Sequence, residues 1–85
     1  MPDSNPQPLV TLQDVQDAVI ANLPNLSQGS RYLLEDLVGK DRWHATQKGA
    51  RSQLGQLYKE KVLAGEEPVY WVTCRSDNRQ VYQLR

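Results

Sequence analysis

The hydrophobic period of this chain changes once, and the change fixes the order of its architecture. Up to Ala64 the apolar residues recur at helical spacing. After "EEP", Glu66 to Pro68, the segments "VYWVTCR" and "RQVYQL" read as strands of period two. Ser76, Asp77 and Asn78 between them make the polar turn of a β-hairpin, with Arg75 and Arg79 flanking its tip. Eighty-five residues hold one small core, and a chain of that size buries only about 60% of its unfolded surface. The expectation is an α+β domain, helices first and one hairpin last.

"MPDSNPQP" is too polar and proline-rich to order itself, so residues 1–10 are expected to be a disordered tail and 11–85 the domain. Thr11 offers an N-cap, with Asp14 three residues on. Leu12, Val15, Val19, Ile20 and Leu23 then form the apolar stripe of a first helix that ends near Asn22, because Pro24 disfavours helical geometry just before it. "RYLL" suits a very short strand, and "LEDLVG" one or two helical turns closed by Gly39. Asp41 can cap another brief turn through Trp43 and His44. A long helix runs from Thr46 as N-cap to Ala64, closed by Gly65. Its buried side is centred on Leu54, with Ala50, Tyr58 and the Lys61 stem, flanked by Leu57 and Val62. Trp43 and Tyr58 are expected core residues. In the hairpin, Tyr70, Val72, Tyr82 and Leu84 share a parity expected to cover the helices, which puts Val69, Trp71, Thr73 and Val81 on the outer face.

The formal net charge is zero, yet the charge is polarised. Residues 1–41 carry Arg31 and Lys40 against six acids, a balance of −4, whereas 42–65 carry Arg42, Lys48, Arg51, Lys59 and Lys61 against Glu60, a balance of +4. Such polarity bears on partners rather than on fold. The lone Cys74 excludes an internal disulfide and a multi-cysteine metal site. No apolar run approaches the ~20 residues of a membrane span, and the N-terminus lacks the order of a signal peptide. A reduced, cytoplasmic protein is expected.

Helix, short strand, short helix, long helix and hairpin is the order of a winged helix, with three helices and a C-terminal β-hairpin. There the longer helix of the motif can enter the DNA major groove while the wing reaches backbone or minor groove. The pattern "GSRYLLEDLVG", then Trp43, then "ARSQLGQLYKEKV" resembles a widespread family of small bacterial single-domain proteins of unknown function. Its members recur in mobile elements and phage-related regions. The matching features are Gly29, Tyr32, Asp36–Leu37, Trp43, Arg51, Leu54–Gly55, Tyr58 and Val62, within a span from Leu23 to Leu84. The resemblance implies a winged-helix-like fold and supplies no activity or catalytic residue.

On the long helix, Lys48, Ser52, Gln56 and Lys59 occupy the exposed face, where lysine suits phosphate and Ser or Gln suits base edges. Arg51 borders that face and can instead pair with Glu35 or Asp36 inside the domain. Arg75 and Arg79 suit a wing that reaches phosphate or minor groove, or simply a solvated turn. Two internal glycines fall within the helix: Gly49 in the exposed first turn, and Gly55 at the border of the core, where either a crowded neighbour or the close approach of a DNA backbone would call for it, the neighbour being the expected reason. Trp71, on the outer strand face, is expected to seal the core edge or to mark a protein interface. His44 and Cys74 lack the spacing of a catalytic pair, and two ligand types do not make a zinc site. No enzyme, metal or cofactor is expected. Two functions stay open: a DNA-binding accessory or regulatory protein contacting double-stranded DNA, and a small interaction module or inhibitor that binds a host or phage protein. Oligomeric state is not readable from the sequence.

Overall fold

The computed structural model describes residues 7–77 and 79–85; residues 1–6 of the expected tail and Asn78 of the expected turn lie outside them. Thr11 and Asp14 open helix α1 (Leu12–Asn22) by capping each other. The Thr11 hydroxyl accepts the Asp14 N–H at 3.2 Å, and the Asp14 carboxylate accepts the N–H groups of Thr11 and Val10 at 3.1 and 2.9 Å. Those backbone donors hold the Asp14 carboxyl below its ordinary value. A 3-10 turn with Pro24 follows over Leu23–Asn25, then strand β1 (Arg31–Leu33) and helix α2 (Leu34–Val38). Gly39, at φ +98°, stops α2 in a conformation that disfavours any residue with a Cβ. Helix α3 (Lys40–Ala45) restarts at once, and α4 (Lys48–Leu63) is the long helix. The described α-helices are thus four, one more than expected, because the brief turn after Gly39 is a full helix.

Strands β2 (Val69–Cys74) and β3 (Gln80–Leu84) form the hairpin, and β1 pairs with β3 on its other side. The sheet is antiparallel with order β1-β3-β2. Tyr82 sits between Tyr32 and Trp71, and Val69 faces Leu84. Val69 and Trp71 therefore share the inner face with Tyr82 and Leu84, the reverse of the expected parity for β2. Val69 is fully buried while Tyr70 is 39% exposed. The cause is local: a bulge between Trp71 and Thr73 shifts the register, and "VYWV" is apolar at every position, so its pattern alone favours neither face.

The core joins Val15, Ala18 and Val19 of α1, Leu34, Leu37 and Val38 of α2, Leu54, Tyr58 and Val62 of α4, and Val69 and Tyr82 of the sheet. Tyr58 meets Tyr82 edge to face, 5.8 Å between ring centroids. Ile20, expected on the buried stripe of α1, is 58% exposed, and Leu57 of α4 also faces outward. Trp43 packs against the core but is only half-buried.

Leu9, just before α1, is docked rather than loose: it is buried and belongs to the core. Its N–H donates to the Thr46 hydroxyl at 2.8 Å, and that hydroxyl donates to the Arg42 carbonyl at 2.8 Å. Arg42 Nε in turn donates to the Gln7 carbonyl at 3.0 Å. Thr46 therefore does not cap α4 as expected. Its hydroxyl is committed to the end of α3 and to Leu9, and Gln47 takes the cap position without a side-chain bond.

Candidate functional site

The outward face of α4 does not stand alone. Between it, the β1–α2 junction and the β2–β3 turn lies a groove of about 650 Å³. Lys48, Arg51, Ser52, Gln56 and Lys59 line it from the helix, Leu33, Leu34 and Glu35 from the junction, and Asp77 and Arg79 from the turn. Trp43 and Tyr82 contribute apolar wall. Six of the seven residues singled out in the sequence as DNA contacts thus border one cavity. The seventh, Arg75, does not: its N–H bonds the Arg79 carbonyl at 2.8 Å and its guanidinium meets Asp77 at 3.5 Å, closing the neck of the turn.

The groove is basic but not uniformly so. Lys48, Arg51, Lys59 and Arg79 face Glu35 and Asp77 within it. Arg79 is neutralised where it stands, bonded to the Glu35 carboxylate and lying 3.7 Å from Asp77. Glu35 also lies 3.8 Å from His44 Nε2. Asp36 is occupied elsewhere, accepting the Leu33 N–H at 3.1 Å and meeting Lys40 at 3.7 Å. The two acids that the sequence offered to Arg51 are engaged with other cations. Arg51 Nε is shielded from water and has no hydrogen-bond partner among the described residues. Leaving a buried charged N–H unmet costs about 1–3 kcal/mol or more.

Gly55 borders the same groove one helical turn after Arg51. A Cβ built there meets only Leu34 Cδ2, at 3.8 Å, an ordinary contact. The crowded neighbour expected from the sequence is absent, so packing does not explain a mid-helix glycine that costs about 1 kcal/mol relative to alanine. Gly49, in the first turn, has open space around it.

Trp71, expected on the outer face, instead lies on the inner face and packs against the core. Its indole N–H donates to Gln80 Oε1 at 2.7 Å, and Lys59 Nζ stands 5.1 Å above the ring. Lys59 is therefore anchored by its aromatic neighbour with its charge at the groove. Burial pushes the Tyr82 hydroxyl up to about 12. It pushes Tyr58 higher still, with the Glu67 carboxylate adding to the effect. The Tyr82 hydroxyl is buried without a hydrogen-bond partner among the described residues. The sequence offered Glu35 only as a partner for Arg51, whereas it holds Arg79. Nothing local marked that pairing, because Glu35 stands beside Asp36 in a short helix and Arg79 lies 44 positions away. Among the described residues no three His, Cys, Asp or Glu side chains gather as metal ligands, and no helix is long and apolar enough to cross a membrane.

No curated protein and no solved structure matches the chain. One family does match, over residues 17–83: the chain belongs to the domain of unknown function DUF1413.

Proposed function

We propose that this protein is a winged-helix DNA-binding accessory or regulatory factor that docks duplex DNA in the groove between α4 and the β2–β3 turn. One observation carries the proposal: the polar, basic face of α4 and the arginine-bearing turn border a single cavity, although they are far apart in sequence. The strand order β1-β3-β2, in which the short strand β1 adds to the edge of the hairpin, supports the same assignment. Lys48 and Lys59 would contact phosphate, Ser52 and Gln56 would face base edges, and Arg79 would reach the backbone flanking the helix. The resemblance of residues 23–84 to small bacterial proteins of mobile elements suits an accessory role of this kind. The test is titration of a labelled duplex with the protein at several salt concentrations, because phosphate contacts release counterions and make affinity fall steeply with salt.

A second class of partner is favoured by one feature, the neutralisation of Arg79 by Glu35 and Asp77. A groove of mixed sign also suits a polar protein segment, and a protein module of this kind would leave duplex DNA unbound at every salt concentration.

A further inference from the structure

Two residues of α4 weaken the free protein with no internal return, and they stand side by side on the groove. Arg51 holds Nε out of water without an acceptor. Gly55, four residues on and on the same wall, weakens the helix although a methyl group would fit there against Leu34 at 3.8 Å. Local rules broken without a compensating contact are characteristic of binding sites, where stability is given up for function. Each anomaly also has the same remedy. A ligand backbone passing close over Gly55 uses the missing Cβ. An anionic oxygen at Arg51 gives the guanidinium the acceptor it lacks, once the side chain turns outward from its shielded position.

We propose that Arg51 and Gly55 form a phosphate notch: one phosphodiester of the bound duplex rests over Gly55 and accepts hydrogen bonds from Arg51. The inference rests on the DNA-binding proposal and adds to it the point of closest backbone approach. Lys48 and Lys59 flank the notch and supply longer-range attraction, whereas Ser52 and Gln56 sit beside it facing the bases.

The test uses the full chain and two variants, Gly55→Ala and Arg51→Met, each measured by thermal melting and by titration of a labelled duplex over a salt series. Both variants are expected to melt at or above the parent temperature. Gly55→Ala should bind the duplex roughly fivefold or more weakly, the loss typical of an interface anchor. Arg51→Met should lose about tenfold and reduce the slope of log affinity against log salt by about one, the signature of one phosphate contact removed. If the parent binds with a salt-dependent affinity and both variants match it, the notch is wrong and the groove binds DNA elsewhere. Variants that melt well below the parent would show that these residues serve packing, which also overturns the notch. A parent that leaves the duplex unbound at low salt overturns the DNA proposal and the notch with it.

Discussion

Glu35 on α2 holds Arg79 of the β2–β3 turn across the mouth of the groove, and the bond joins residues 44 positions apart. The Glu35 side chain is 12% exposed and that of Arg79 55%, so the acid is fixed in the wall while the arginine lies toward solvent. The pair steadies the turn and at the same time cancels the charge that a phosphate would seek. Glu35→Gln should therefore release Arg79. Because Arg79 is more than half exposed, the loss of stability should stay below about 1 kcal/mol. Duplex affinity at low salt should rise, because Arg79 no longer has to leave the Glu35 carboxylate to meet the backbone. Weaker binding with a flatter slope would show instead that Glu35 is needed to place the turn.

Tyr58 and Tyr82, both fully buried, are expected to dominate the core energetically. Tyr58→Ala should cost about 3–5 kcal/mol, enough to threaten a domain of this size. Tyr82→Phe removes a buried hydroxyl that has no partner among the described residues, so it should be neutral or stabilising by up to about 1 kcal/mol. Alkali gives an independent check. The folded-state value of Tyr82 is raised to about 12, above the unfolded tyrosine value of about 10. The unfolded chain thus loses its proton first, and stability that is complete below about pH 10 should be lost as pH rises toward about 12. In urea melts from pH 8 to 12, Tyr82→Phe should show a smaller decline than the parent. An equal decline would mean that Tyr82 ionises as freely in the fold as outside it.

Thr46 pins the N-terminal segment. Its hydroxyl is buried between the Leu9 N–H and the Arg42 carbonyl. Thr46→Val keeps the shape and removes both bonds, so it should cost about 1–3 kcal/mol. Amide exchange at Leu9 should accelerate in the variant while exchange in α4 stays slow. Uniform acceleration across the domain would show that the segment is part of the cooperative core rather than a docked arm.

What the sequence revealed about this fold was local, and what it concealed was long-range. Thr11 and Asp14 announced α1 because a capping box needs only neighbours four positions apart or fewer. Gly39 and Gly65, both at positive φ, marked helix ends for the same reason. The exposed face of α4 was legible because helical spacing gathers Lys48, Ser52, Gln56 and Lys59 on one side without outside help. The inner face of β2 was not, since four successive apolar residues carry no alternation and the bulge after Trp71 has no sequence mark. Leu9 lay in a proline-rich stretch whose composition predicts disorder, and its partners in the core and at Thr46, 37 positions away, are all remote in sequence. Gly55 misled in a different way. Of the two reasons a mid-helix glycine offered, packing was favoured over close approach of a ligand, whereas the space beside it is open enough for a methyl group.

If the groove between α4 and the β2–β3 turn binds duplex DNA through its lysines, the slope of log affinity against log salt will show it most directly. A labelled duplex should be titrated by fluorescence anisotropy at several salt concentrations with the parent and with the Lys48→Glu, Lys59→Glu double variant. Circular dichroism of both proteins confirms an unchanged fold. Each lost phosphate contact should lower the slope by about 0.9, so the double variant is expected to bind more weakly with a slope reduced by about two. Identical affinity and slope in the two proteins would contradict the claim, as would a parent that leaves the duplex unbound at the lowest salt.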